Sequence, residues 1–297
     1  MRIGAPHPVA KVGAILGEGP VWFGGALWFV DIKAPAIFRF DPATDALDRW
    51  SAPAQVGWVL PAADGTIVAG LQTGLHRFDP ATGGFTLLTM VEPERPGNRL
   101  NDACVDPTGR LWFGSMDDAE SAPRGSIYCA AADGLVRVID GIVITNGPAV
   151  SPDGATLYHN DTLGGLVFAS DLAANGSVAN TRIFASIDPA DGYPDGPTVD
   201  AEGCVWIGLY AGWGVRRYAP DGRLLESVPF PVANITKIAF GGPGLATAYA
   251  TTARKGLTPA MLAQQPHAGD LFAFDPGVPG LPCPPIDALF LQHVVQR

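Results

Sequence analysis

The sequence has no apolar run of about 18 residues or more, so a membrane-spanning helix is not expected. Near the N-terminus, Val12 to Leu16 is too short an apolar stretch for a signal-peptide core. A soluble cytoplasmic chain with no membrane partner is therefore expected. Lys and Arg are scarce and never clustered: 19 against 29 Asp and Glu give a net charge of −10. Nucleic acid needs a basic stripe, so it is excluded as a partner. Acidic groups can instead gather a metal cation. There are only four cysteines, Cys104, Cys129, Cys204 and Cys283, and none forms a Cys-x-x-Cys pair. Cys104 and Cys204 lie in apolar strand-like runs, where a thiol acts as a small buried hydrophobe. A single disulfide stays open. The five histidines, His7, His76, His159, His267 and His293, are scattered without His-Glu-x-x-His or paired spacing. That argues against a histidine zinc site. There is no Gly-x-Ser-x-Gly nucleophile elbow and no phosphate-binding Walker loop. Asp188, Asp191 and Asp195 do not have the spacing of an EF-hand loop.

What is present is apolar residues, glycine and proline. Apolar residues make up 47% of the chain, ample for a core. The 65 glycines and prolines in 297 residues, above the ~12% of average usage, are spread throughout. They imply many short elements and many turns. One phrase recurs, a turn of Asp, Pro and Gly followed by a short apolar strand. It reads Val105-Asp-Pro-Thr-Gly-Arg-Leu-Trp-Phe-Gly114, Val150-Ser-Pro-Asp-Gly-Ala-Thr-Leu-Tyr158 and Val199-Asp-Ala-Glu-Gly-Cys-Val-Trp-Ile-Gly208. Weaker copies begin at Pro61, Gly24 and Gly241. A second phrase, an aromatic strand ending in a turn, follows most copies, as in Ile37-Phe-Arg-Phe-Asp-Pro42 and Leu75-His-Arg-Phe-Asp-Pro80. Pro fixes φ and Gly admits positive φ, which suits tight turns. The turn glycines Gly25, Gly65, Gly109, Gly154, Gly203 and Gly244 are 40, 44, 45, 49 and 41 residues apart. Repeats of this length with several strands each predict an all-β chain, a six-bladed β-propeller of four-stranded antiparallel blades. The ring is expected to be one domain over residues 1–297. Residues from about His7 to Leu16 are expected to complete the last blade as its outer strand. Pro259 to Gln265 is expected to form one turn of helix. A closed ring leaves few strand edges, so a monomer is expected.

The innermost strands of a propeller line its channel, so equivalent positions face one another. Eight residues before the turn glycine lie Gly57, Asn101, Asn146, Asp195 and Thr236; the first repeat is one residue tighter and gives Glu18. Three of these open the same phrase: Glu18-Gly-Pro, Asn146-Gly-Pro and Asp195-Gly-Pro. Glu18, Asn101, Asn146 and Asp195 are thus expected to converge from four blades. Carboxylate and amide oxygens suit a hard divalent cation. The bland alternative is turn chemistry copied by duplication, which by itself does not require Glu, Asn and Asp together.

The sequence resembles the senescence-marker protein (regucalcin), gluconolactonase and luciferin-regenerating enzyme family. The matching stretches are Leu16-Gly-Glu-Gly-Pro-Val-Trp22, Arg99-Leu-Asn-Asp102, Val105 to Arg110, Gly114-Ser-Met116, Thr145-Asn-Gly147, Ser151-Pro-Asp-Gly154 and Pro194-Asp-Gly-Pro-Thr-Val-Asp200. They follow the family's order from about residue 16 to about residue 275. The resemblance implies a six-bladed propeller holding one divalent metal, and hydrolysis of a small-molecule sugar lactone (an aldono-1,4- or 1,5-lactone) to the aldonic acid. It implies metal ligands at Glu18, Asn146 and Asp195, substrate contacts at Arg99 and Asn101, and a general-base role for Asp195. The metal is open among calcium, iron(II), zinc, manganese and magnesium. The family's acidic residue after the Gly-Thr-Met stretch has no clean match, with Asp117, Asp118 and Glu120 as candidates. Trp58, Tyr193, Tyr210 and Trp213 are candidates for an apolar wall beside a sugar ring; Trp112 and Trp206 read as core. Lys33 and Asp31 read as a solvated salt bridge near a channel mouth. Two alternatives are a related propeller hydrolase acting on other esters through a more apolar pocket, and a non-catalytic metal-binding propeller with a blocked channel.

Overall fold

The repeated turn phrase has a direct structural cause. In a computed structural model describing residues 3–295, the Asp106 carboxylate accepts the backbone N–H groups of Thr108 and Arg110 and closes the turn. Its other oxygen accepts the Trp112 indole N–H at 2.8 Å and the Arg110 guanidinium at 2.6 Å. Asp200 does the same one repeat-pair later. It accepts from the backbones of Glu202 and Cys204, and then from the Trp206 indole and the Arg217 guanidinium. Asp-x-x-Gly-x-x-Trp is therefore one device: a carboxylate that caps a turn and locks a core indole in place. Trp112 and Trp206 are both fully buried, as expected of core residues.

The turns separate short antiparallel strands. Four separate four-stranded sheets are laid down in chain order, with innermost strands Gly17–Phe23, Val56–Pro61, Asn98–Val105 and Thr145–Val150. The remaining eight strands form one continuous sheet containing Tyr193–Val199 and Ile235–Gly241. Six separate sheets were expected from the repeat, and the sheet count differs for a local reason. Tyr193–Val199 and Ile235–Gly241 approach closely enough to form one parallel pair, Gly196 with Lys237. Only glycine permits this: a Cβ at Gly196 would lie 2.7 Å from the Lys237 stem. Each of the inner strands contacts the next in chain order, and Ile235–Gly241 contacts Gly17–Phe23, so the inner strands close on themselves. The fold is an all-β propeller with four-stranded blades.

The core lies between neighbouring sheets. Trp58, Leu60 and Leu75 pack against Leu100, Leu111 and Phe113 in one cluster, and Tyr158 and Val167 pack against Ile207 and Tyr218 in another. His7–Ala10 pairs antiparallel with Leu271–Phe274, so the first and last strands share a sheet. The expected strand is shorter than His7 to Leu16, because Asp270 takes the Val12 and Gly13 N–H groups out of strand pairing. The helix Pro259–Gln264 forms, with Thr258 accepting the Met261 N–H. A second helix, Ala288–Val295, was not expected; it buries Phe290 and Leu291 against the core of the second and third sheets. The His293 side chain lies outside the described residues. The four cysteines are free. Among the described residues, no helix is long and apolar enough to cross a membrane.

Residues 278–287 form a strap across one end of the channel. Gly280 donates to Leu245 O, Ala201 to Pro279 O, Ile286 to Pro61 O and Asp287 to Gly109 O, each at 2.9–3.0 Å. The strap is thus tied to both sides of the ring.

Candidate functional site

The inner strands are not regular where the repeated slot falls. Pairing register shifts between Glu18 and Val21, Val56 and Trp58, Leu100 and Ala103, Asn146 and Ala149, Pro194 and Pro197, and Ile235 and Lys237. A bulge re-aims a side chain out of the strand's alternation. Stacked around a ring, such bulges turn several polar side chains toward one axis. Close packing of the backbones there needs small residues. A Cβ at Gly57 would lie 2.5 Å from Asn101 O, and one at Gly19 would lie 2.7 Å from Gly57 O.

The structure brings together the residues expected as metal ligands and substrate contacts. Glu18, Arg99, Asn101, Asn146 and Asp195 line one cavity of about 240 Å³, with Glu120, Thr162, Tyr193, Tyr210 and Lys255. Glu18 and Asp195 are 2% and 5% exposed. Glu18 Oε2 accepts the Gly19 N–H at 2.9 Å and Asp195 Oδ1 accepts the Gly196 N–H at 3.0 Å. Among the described residues, neither carboxylate forms an ion pair. Burial pushes Glu18 up to about 8, helped by the nearby Asp102 charge. Burial, followed by the Glu18 charge, raises Asp195 well above the ordinary carboxyl range. Without an ion, burial favours the protonated form of both carboxyls; a divalent cation would favour the deprotonated form instead.

The neutral donors are held just as firmly. Asn146 Nδ2 donates to Thr162 Oγ1 at 2.9 Å, which turns its amide oxygen toward Asn101 Nδ2, also 2.9 Å away. Asn101 Nδ2 further donates to Thr145 O, and Asn101 Oδ1 accepts from Arg99 at 2.6 Å. The Arg99 guanidinium is 2% exposed and pairs with Asp118 Oδ1 at 2.9 Å. Asn160 and Thr162 secure the backbone under Asp195 by donating to Asp195 O and Pro194 O. The donor set is two carboxylates and an amide oxygen. Among the described residues no three His, Cys, Asp or Glu gather at one point, so acids alone would not make a site. Carboxylate and amide oxygens fit a hard divalent cation.

Other assignments separate cleanly. Asp118 holds Arg99, Lys33 and Gln55, and Glu120 lines the cavity in an ion pair with Lys255. Asp117 instead accepts the Ser121 and Ala122 N–H groups in its own turn. Lys33 pairs with Asp118 rather than Asp31; the Asp31 carboxylate is used up by the N–H groups of Ile15, Leu16, Lys33 and Ala34. Tyr193 and Tyr210 line the cavity. Trp58 does not, because its ring lies flat over Gly70 in the second sheet. Trp213 is 46% exposed in a turn outside the cavity.

Sequence reasoning missed Asp102, Lys237, Glu120 as an ion-pair partner, and Lys255. Lys237 carried a readable signal, a lone charge in the apolar run Ile235-Thr-Lys-Ile-Ala-Phe240. A second and larger cavity, about 400 Å³, sits at the strapped end of the channel. It is lined by Trp22, Trp58, Phe240, Val199 and strap residues Leu281 to Pro284. It holds no carboxylate pair, so the smaller cavity is the candidate site on chemistry, not on size.

Comparison with known proteins identifies the family. The family model described as the SMP-30/Gluconolactonase/LRE-like region matches residues 16–254. The chain is 37% identical over 264 residues to an L-arabinolactonase of Azospirillum brasilense, covering 86% of this chain and 87% of that one. It is 30% identical over 276 residues to a 6-deoxy-6-sulfogluconolactonase of Pseudomonas putida, covering 92% and 95%. Among solved structures, a calcium-binding protein, regucalcin, from Agrobacterium tumefaciens superposes with a TM-score of 0.91 at 28% identity, covering 95% and 97%. The chain belongs to the SMP-30/gluconolactonase/LRE-like family.

Proposed function

We propose that the protein is a lactonase that hydrolyses a sugar lactone with the help of one divalent cation held by Glu18, Asn146 and Asp195. The observation that carries this reading is the pair of buried carboxylates, in no ion pair among the described residues, beside a buried arginine and two amides in one cavity. The lactonase names of the relatives support the reaction class. We further read the eight-stranded sheet as two blades joined at Gly196 and Lys237, which makes the ring six-bladed and a single domain; a closed ring has few free strand edges, and we expect a monomer.

A lactone is a cyclic ester, so hydrolysis needs an attacking water, a stabilised oxyanion and a departing ring oxygen. When bound, the cation supplies Lewis acidity for the carbonyl and the water. The chain's own residues supply the rest. Arg99 presents a donor fork that Asp118 and Asn101 hold still, suited to a carbonyl or vicinal hydroxyls. Asn101 orients a hydroxyl. Asp195 uses one oxygen for the Gly196 N–H and has the other free to take the proton of the attacking water. Tyr193 and Tyr210 give an apolar wall for the ring's carbon face. The charges of the cavity cancel once a dication joins Glu18 and Asp195, since Arg99 faces Asp118 and Lys255 faces Glu120. An uncharged lactone fits that balance. A pocket for other esters needs a more apolar lining, and a non-catalytic propeller needs no ordered polar cavity.

The test is lactone opening followed by pH-stat. Protein stripped with chelator is refilled with calcium, iron(II), zinc, manganese or magnesium and offered pentono- and hexono-lactones. Acceleration over a metal-only blank supports the reading and ranks metal and sugar. No acceleration with any metal, in protein shown to be folded, overturns it.

A further inference from the structure

Between the two cavities lies a charged pair that the reaction does not consume. Lys237 Nζ donates to Asp102 Oδ1 at 2.6 Å, with side chains 8% and 1% exposed. Asp102 Oδ2 accepts the Gly147 N–H at 3.1 Å, and Oδ1 also accepts the Ala103 N–H at 2.8 Å. The Lys237 stem rests against Gly196, with no room for a Cβ between them. One ion pair thus touches four inner strands, those of Asp102, Gly147, Gly196 and Lys237 itself. Each residue it grips is the chain neighbour of a site residue: Asp102 of Asn101, Gly147 of Asn146, Gly196 of Asp195. All of these lie at the register shifts, where antiparallel pairing with the next strand of the same sheet is interrupted.

Stability alone does not account for the pair. Burying two charges costs several kcal/mol per ion, and well-packed apolar residues commonly do as well or better. A buried pair is justified where it fixes geometry, and here the unpaired backbone of three bulges needs fixing. We propose that Lys237 and Asp102 are positioning residues that hold Asn101, Asn146 and Asp195 in the arrangement that binds a divalent cation. This rests on the reading of the site as a cation-dependent centre. The cause is mechanical: without the pair, the bulges keep their residues but lose their common registration around the channel.

The test uses Mn2+ binding to the full chain, read from loss of the free-ion EPR signal, so that activity is not the only readout. The double variant Asp102→Asn/Lys237→Met removes both charges and keeps one side-chain oxygen to accept a backbone N–H. It is expected to stay folded and to bind Mn2+ about ten-fold more weakly or worse. As a control, Asp200→Asn/Arg217→Met removes another buried ion pair, remote from the site. It should lower the melting temperature and leave Mn2+ affinity unchanged. Binding within about two-fold of wild type in the Asp102/Lys237 double variant overturns the proposal. Should that variant fail to fold, Lys237→Gln decides. It removes a positive charge beside a cation site, so electrostatics alone tightens binding, whereas lost positioning weakens it. Weaker binding supports the proposal and equal or tighter binding overturns it. Wild type that neither binds Mn2+ nor opens a lactone is a separate outcome: the site reading itself fails, and the proposal with it.

Discussion

The two ends of one channel are built from the same repeated strands and behave as opposites. At the open end, the slot residues leave strand pairing and present Glu18, Asn101, Asn146 and Asp195 to a cavity of about 240 Å³. At the strapped end, the same strands continue regularly and present Val105, Ala149, Val199 and Phe240 to a cavity of about 400 Å³. The strap crosses that end with backbone hydrogen bonds to both sides of the ring. The larger of the two cavities holds no carboxylate pair, while buried carboxyls outside any ion pair mark the chemical end. Volume does not find this site; electrostatics does.

Substitutions at the two ends should divide activity from stability. Asp195→Asn keeps a ligand oxygen and loses the base, so kcat should fall by about 10² to 10⁴. Lactone opening measures this, and unchanged turnover removes Asp195 from the base role. At the strapped end, Phe240→Ala should cost about 3–5 kcal/mol of unfolding free energy. Its kcat/KM should stay within about two-fold of wild type under conditions where it is folded; denaturant titration and initial rates check both. Arg99→Met removes charge-assisted hydrogen bonds worth about 1.5–3 kcal/mol each. KM for the lactone should rise about ten-fold or more, read from steady-state kinetics.

Stability against pH sharpens the same comparison. Glu18 sits near 8 in the folded protein against 4.5 ordinarily, and burial shifts Asp195 in the same direction. Between those limits the folded, metal-stripped chain holds more protons than the unfolded one. The contribution of these carboxyls to stability is therefore fully present below about pH 4.5 and is lost as pH rises through about 8. Calorimetry of chelator-treated protein should show the melting temperature falling over that window. Glu18→Gln should flatten the fall. Added divalent cation should reverse it, because the carboxylates bind the ion in their deprotonated form. The smallest effect is expected at Trp213, which is exposed outside either cavity. Trp213→Ala should leave kcat/KM unchanged, and a clear rise in KM would place it against substrate.

The repeat was legible because turn chemistry writes it into the chain: Asp106 and Asp200 each need a glycine three residues later and reach a tryptophan six residues later. Counting back from that glycine reaches the bulge, so four residues of one site appear at one phase of the period. What was not legible comes from contacts between repeats. Lys237 stands one residue past the slot, and its role depends on Asp102 lying across the channel. Lys255 and Glu120 meet at the cavity from loops whose lengths differ between repeats. The continuity of the eight-stranded sheet turns on a side chain that Gly196 lacks. The strap and the helix Ala288–Val295 lie beyond the last repeat, where the period carries no information.

The central claim is that the open end of the channel is a cation site built by Glu18, Asn146 and Asp195. Anomalous diffraction from crystals loaded with Mn2+ tests it most directly. One peak is expected in the smaller cavity, coordinated by oxygens of these three residues. A peak bound elsewhere, or none in that cavity at saturating Mn2+, would contradict it.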